Sequence, residues 1–259
     1  MLLRSLGTGV SGLKNFQTYL DVIGNNISNV STTGFKKGRV NFEDIFSSDL
    51  QGSTTNKNAI QIGLGSQASS IDNILTDGVV NPTGNPYDLA INGEGYFAVS
   101  DGTNTYYTRA GDFKLNSAGT GLVNSQGLTL VLDTTNRDHN TFQDLASFTV
   151  DSNGVINGVT TAGANVNLGT VQLTTFSNPA GLEKVGNSLY QATQGSGTMS
   201  NNPAANGQGK VVQNSLEGSN VDLTDEMTAL IEAQRAYQAN ARTVTTADQI
   251  LQELVQLKR

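Results

Sequence analysis

From Ser219 to the last residue the chain contains neither glycine nor proline. Through this stretch apolar or aromatic side chains stand seven apart at Leu223, Leu230, Tyr237, Val244 and Leu251. A second row, offset by four, runs Met227, Gln234, Ala241, Asp248 and Val255. Together they give a seam with the 3.5-residue period of a coiled coil, interrupted by Gln234 and Asp248, which could fix its register. Asp222 can cap the start, Asp225 and Glu226 fall in the first turn, and Lys258 and Arg259 end the stretch, so both ends suit the helix dipole. A single helix from Asp222 to Leu257 would be roughly 54 Å long. A globule of this chain length has a radius of gyration of only about 18 Å. Such a helix is expected to leave the body, and its seam then needs partners from other copies or from elsewhere in the chain.

The other end of the chain supplies a second stripe. Leu6, Leu13, Leu20 and Ile27 are spaced by seven, and Leu3, Val10, Phe16, Ile23 and Val30 fill a neighbouring row with one-residue drift. Gly7, Gly12 and Gly24 weaken this helix by up to ~1 kcal/mol each relative to alanine. The expected assembly seam is therefore Leu6, Val10, Leu13, Leu20 and Ile27 with Leu223, Met227, Leu230, Tyr237, Val244, Leu251 and Val255. Apolar residues at helical spacing are most often ordinary core. Here they sit at the two extremes of the chain, which favours packing between molecules.

Between the stripes the signals change. Tyr96–Ser100 and Thr105–Arg109 flank Asp101-Gly102-Thr103-Asn104, and Phe148–Val150 and Val155-Ile156 flank Asn153-Gly154; both are hairpin turn pairs. Val166 to Phe176 alternates with one slip at Gly169, the mark of a bulge. Ser47 to Asn58 is polar and reads as a loop. The expectation is an α+β chain: residues 1–33 with 219–259 as a coiled-coil pair of terminal helices, 34–75 with 186–218 as extended connections, and 76–185 as one barrel- or sandwich-like β domain.

Composition removes several kinds of chemistry. The net charge of -7 disfavours a nucleic-acid surface. No cysteine is present, so disulfides and thiolate chemistry are excluded, and with a single histidine a His-based metal cluster is too. No cofactor is expected. No run of about twenty apolar residues would span a membrane, and the Met1–Gly7 start is too short and interrupted for a cleaved secretory signal. His139 lies in a polar stretch and reads as a loop histidine. Gly93-Glu94-Gly95 lacks the third glycine of a dinucleotide loop and opens no helix. Glu94, Asp88 and Asp112 could be set up as paired acids of a hydrolase, but a solvated β surface explains them better. Asn26-Ile27-Ser28 and Asn29-Val30-Ser31 match the glycosylation triplet, a pattern short enough to arise by chance.

Five stretches carry a family resemblance. Asn25-Asn26-Ile27-Ser28-Asn29-Val30-Ser31-Thr32-Thr33-Gly34-Phe35-Lys36 resembles the N-terminal signature of bacterial flagellar rod and hook proteins. Asp88–Phe97 and Tyr107-Thr108-Arg109-Ala110-Gly111-Asp112-Phe113 resemble two central motifs, and Gly218–Leu223 and Glu232–Asn240 the C-terminal one. The resemblance covers nearly the whole chain, in order. It implies terminal helices paired in an inner tube, a β domain outside it, export through the flagellar type III apparatus without signal cleavage, and self-assembly into a helical homopolymer that transmits torque. It also implies contacts with adjacent rod, hook-junction and cap proteins, no nucleic acid and no membrane insertion. Two members fit, a short hook protein and the distal rod protein. The ending Ile250–Arg259 is more similar to the short hook, which is the expectation, with the distal rod second. Outside the family the rival is a secreted β-rich adhesin with a helical stalk.

Overall fold

The computed structural model describes residues 2–51, 60–135, 137–139, 141–203 and 209–257. They fall into two units, one made of residues 1–28, 38–74 and 221–259, the other of 29–37 and 75–220.

The first unit holds the two helices, α1 (Leu2–Ser28) and α2 (Leu223–Leu257). The Asp222 carboxylate accepts from the Thr224 N–H at 2.8 Å and so caps α2 as its position in the sequence suggests. The helices run antiparallel. Asn26 meets Glu226 near one end, and Gly9 lies against Val244 seventeen residues away along α1. That is ~25 Å of continuous contact. Two antiparallel strands, Gly38–Asp44 and Ser66–Asn73, form a ribbon packed on α1. Phe42 lies against Phe16 and Tyr19, with ring centroids at 6.3 and 5.9 Å. Asn15 donates to the Ser66 hydroxyl at 2.8 Å. Asn26 joins all three parts: its amide donates to the Gly38 carbonyl at 2.9 Å and to Glu226 at 3.1 Å, and its oxygen accepts the Gly38 N–H at 2.9 Å.

The second unit is antiparallel β structure. Its main sheet has twelve strands, with the long strand Asn165–Phe176 paired to Val155–Thr160, to Met199–Pro203 and to Tyr96–Ser100. Tyr96–Ser100 is covered on both faces. Phe97 and Val99 join a cluster that also takes Leu122, Leu130, Ile156 and Leu168, while Tyr96 and Ala98 join a smaller one with Tyr107, Phe176 and Tyr190. Leu122 and Ile156 come from opposite ends of the strand order yet share one core, so the sheet curls around it. At the open edge of Leu145–Val150 the Gln213 amide stands in for a missing strand, accepting from the Val150 N–H at 2.9 Å and donating to the Phe148 carbonyl at 3.5 Å. Both expected hairpins form, with Gly102 at φ 88 and Gly154 at φ 79. The slip at Gly169 (φ 119) is real: the register with Val155–Thr160 shifts between Ile156 and Asn157.

Several expectations are corrected. Residues 34–75 are not an extended connection. Residues 38–74 belong to the first unit, where the ribbon is held on α1 by the Phe42 and Asn26 contacts. Residues 186–218 likewise belong to the second unit: Lys210–Gln213 pairs with Leu89–Asn92, and Ser215–Glu217 with Val80–Pro82. The polar stretch after Ser47 is not all loop, because Ser47–Gln51 pairs with Ile60–Gly63; residues 52–59 lie outside the described residues. The curled branched sheet is not a sandwich of two sheets. The helices form a packed antiparallel pair. α1 ends at Ser28, and Gly34, with φ 65, lets the backbone press against Arg109 and Ala110, where a Cβ would stand 2.5 Å from the Ala110 nitrogen. Lys258 and Arg259 lie outside the described residues.

Candidate assembly surface

The period of α2 read from the sequence holds in the structure, but its phase shifts by one residue. The buried residues of α2 are Glu226, Ala233 and Ala247, and half-buried Asn240 completes this row of sevens. The expected second row stands outside it: Met227 and Val255 are exposed, and so are Gln234 and Asp248. The reason is the closeness of the two helices. A Cβ on Gly9 would stand 2.9 Å from Val244, and one on Gly12 2.9 Å from the Asn240 amide. Helices this close need small side chains in the seam, so Ala233 and Ala247 fill it where larger residues would hold the backbones apart. Of the other expected seam residues, Leu6, Leu13, Leu20, Ile27, Leu230, Val244 and Leu251 are half-buried, while Val10, Leu223 and Tyr237 are exposed. The alanine row was visible in the sequence as a seven-residue repeat offset by three from Leu223; its small side chains hid it behind larger neighbours.

Part of what α2 leaves outside is apolar. Leu223, Met227 and Ile231 succeed one another at four-residue spacing with 44, 47 and 50% of their surface exposed. At the far end Leu254, Val255 and Leu257 are 50, 66 and 83% exposed. Residues four apart share one helix face, so the first three form a continuous apolar stripe.

The second unit contains a buried ionic junction that sequence reading did not assemble. Lys36 and Glu217 meet at 2.6 Å with side chains 1 and 0% exposed. Arg109 reaches the other Glu217 oxygen at 3.2 Å and Asp77 at 3.6 Å. Glu217 also accepts the Gly78 N–H at 2.9 Å, Lys36 donates to the Thr76 carbonyl at 2.8 Å, and Arg109 donates to the Gly93 carbonyl at 2.8 Å while lying over the Tyr96 ring. Burial pushes the Lys36 ammonium below its ordinary pKa, with the Glu217 carboxylate opposing that shift. Three of the motif stretches, or their immediate flanks, thus converge on one cluster. It ties the segment that follows α1, the centre of the sheet and the strand that leads towards α2 to one another.

Of the acids weighed for hydrolysis, Asp88 and Asp112 oppose each other across an isolated antiparallel bridge. The Asp88 carboxylate is occupied by the Thr83 hydroxyl at 2.6 Å and the Asn85 amide at 2.9 Å, while Glu94 is exposed in a turn. His139 faces Thr141 and Asp144 at 3.2 and 4.0 Å, part of a local loop contact. Asn26 is 2% exposed with both ends of its amide bonded, which removes the first glycosylation triplet.

Comparison with known proteins gives three family matches: residues 6–36 to "Flagella basal body rod protein", 90–158 to "Flagellar hook protein FlgE/F/G D1 domain", and 212–257 to "Flagellar basal body rod FlgEFG protein C-terminal". The flagellar basal-body rod protein FlgG of Bacillus subtilis is 46% identical over 269 residues, covering 100% of both chains. That of Agrobacterium fabrum is 37% identical, over 96% of this chain and 97% of its own. The flagellar hook protein FlgE of Borreliella burgdorferi is 27% identical over a 441-residue alignment that takes in 99% of this chain and 100% of that one.

Proposed function

We propose that this chain, which belongs to the flagellar basal-body rod and hook protein family, is the distal rod subunit of the flagellar axial structure. Membership makes it a structural subunit of the flagellum, which displaces the adhesin and hydrolase alternatives. The choice of rod over hook rests on one observation. The rod protein of Bacillus subtilis matches end to end at 46%, whereas the hook protein matches at 27% across an alignment of 441 residues. The preference for a hook, drawn from the Ile250–Arg259 ending, is given up on that ground.

Assembly follows from what the helical pair leaves uncovered. Each subunit satisfies its inner seam with its own two helices and keeps Leu223, Met227, Ile231, Leu254, Val255 and Leu257 for neighbours. Fully burying a side chain of this size is worth about 1.5–3 kcal/mol, and covering the half still exposed about half of that, so several of them together offset the loss of freedom on association. Polymerisation in a helical array turns the many helical pairs into a tube able to carry torque. Adjacent rod, hook-junction and cap proteins, and export by the type III apparatus with no cleaved signal, complete this reading. Its test is the position of the chain in isolated hook–basal bodies. Antibody against the β unit should label the envelope-spanning rod, and a strain lacking the gene should build no hook. Labelling along the extracellular hook would overturn the assignment.

A further inference from the structure

A polar pocket of the second unit is left unused by everything above. It measures about 220 Å3 and is lined by Thr32, Thr33, Asp112, Ser125, Asn187 and Ser188 among others. Asp112 is the one charged residue among the described residues that line it. The walls are fixed from behind. The Thr108 hydroxyl donates to the Ser188 carbonyl at 2.9 Å, Gln126 donates to the Asn187 carbonyl at 3.5 Å, and Asn124 holds Gln126 at 2.7 Å. Asn187 (φ 53) and Ser188 (φ 59) form the two-residue loop of the hairpin joining Glu183–Gly186 to Leu189–Gln191, a tight turn that asks for positive φ at both positions.

The Asp112 carboxylate is the acceptor-only group of the lining, and the hydroxyls and the Asn187 amide beside it can both donate and accept. The side chains of Thr33, Asp112, Ser125, Asn187 and Ser188 make no hydrogen bond or ion pair among the described residues. A half-buried carboxylate in a pocket also lined by hydroxyl and amide groups able to accept matches a group with several N–H donors and one positive charge, such as an ammonium or a guanidinium. An anion would be repelled, and an apolar group would strand the acceptors.

We propose that this pocket receives the cationic end of a lysine or arginine side chain from a second copy of the chain. Charge complementarity within the molecule supports that occupant. Lys36 and Arg109 are committed to the buried junction, but Arg4, Lys14, Lys114, Arg235 and Arg242 are exposed and make no ion pair among the described residues. The chain carries a net charge of -7, so copies brought together need such pairings to offset repulsion. The inference rests on the self-assembly reading, and the two are tested apart.

The first measurement is an NMR titration of the full unpolymerised chain with ethylguanidinium and n-butylammonium chloride, against sodium and magnesium chloride at matched ionic strength. Saturable shifts at Thr33, Asp112, Ser125 and Ser188 are expected for the organic cations, and their loss in Asp112→Asn. Absence of those shifts, or equal shifts with magnesium, overturns the site. The second is the critical concentration for tube formation. Asp112→Asn should raise it about 2- to 5-fold, as for loss of one partly exposed ion pair, with Asp112→Glu restoring much of it. An unchanged critical concentration for Asp112→Asn, with its ligand shifts lost, overturns the intermolecular role. If the wild type forms no tubes, self-assembly fails, while the titration still decides the pocket. Thermal unfolding of each variant guards against a folding defect. Should Asp112→Asn fail to fold, Ser125→Ala with Ser188→Ala takes its place and should weaken analogue binding in the same way.

Discussion

At the scale of single residues, Glu217 has the most at stake. Its carboxylate is the buried anion between Lys36 and Arg109, while Asp77 is 44% exposed. Glu217→Gln leaves two cations facing each other without it, and breaking a buried pair in this way costs about 3–5 kcal/mol. Lys36→Met removes one cation but leaves Arg109 on Glu217, so its cost should be smaller. Urea unfolding followed by tyrosine fluorescence checks the order; equal effects would mean that Arg109 does not hold the carboxylate by itself. The tyrosines give a pH signature. Burial raises the Tyr96 hydroxyl to about 12, and Tyr190 is pushed up as well. Between the unfolded value near 10 and the folded value the unfolded chain has lost the proton and the native one keeps it, so stability falls as pH rises through that window. Two pKa units correspond to about 3 kcal/mol. Lys36 acts with the opposite sign: its folded pKa is lowered, so stability rises with pH up to the unfolded value near 10.5. Tyr96→Phe should flatten the alkaline limb between pH 10 and 12, and an unchanged limb would contradict the assignment. None of this was legible from the sequence. Lys36, Arg109 and Glu217 sat in or beside recognised motifs, yet residues so far apart in the chain share no periodicity, and only the fold brings them together.

At the scale of elements, the turns were legible and the helix seam only half so. Asp101-Gly102 and Asn153-Gly154 announce hairpins because few other pairs accept the positive φ that the turn needs. The seven-residue period of α2 was equally plain. Its phase was not, because Ala233 and Ala247 have little side chain and their place in the seam depends on glycines in α1. The ribbon over α1 escaped for a similar reason. It is held by Asn26 and Phe42, whose contacts across the chain follow no pattern along it. The glycines of α1 can be sorted by experiment. Gly7 and Gly24 have open space where a Cβ would go, whereas Gly9 faces Val244. Gly7→Ala and Gly24→Ala should each stabilise the helix by up to ~1 kcal/mol in thermal melts followed by circular dichroism. Gly9→Leu should lower the melting temperature by forcing α1 and α2 apart. A stabilising Gly9→Leu would show that the close approach is dispensable.

At the scale of the whole molecule, the account divides the apolar surface of the helices into two parts. One is consumed inside the subunit by the Gly9, Gly12, Ala233 and Ala247 seam, and the other is left for neighbouring copies. Leu230 illustrates why the division matters. It is half-buried, so Leu230→Asp would disturb the subunit's own helical pair as well as any polymer. Ile231 and Leu254 are each half-exposed, and they test assembly without that complication. The direct measurement is the critical concentration for tube formation, by sedimentation and electron microscopy, of Ile231→Asp and Leu254→Asp beside the wild type. Losing the burial of the exposed half of one such side chain, about 0.8–1.5 kcal/mol, should raise it roughly 4- to 12-fold, with helix content and melting temperature of the unassembled chain unchanged. Tubes forming from both variants at the wild-type concentration would contradict the claim that copies of this chain cover that face.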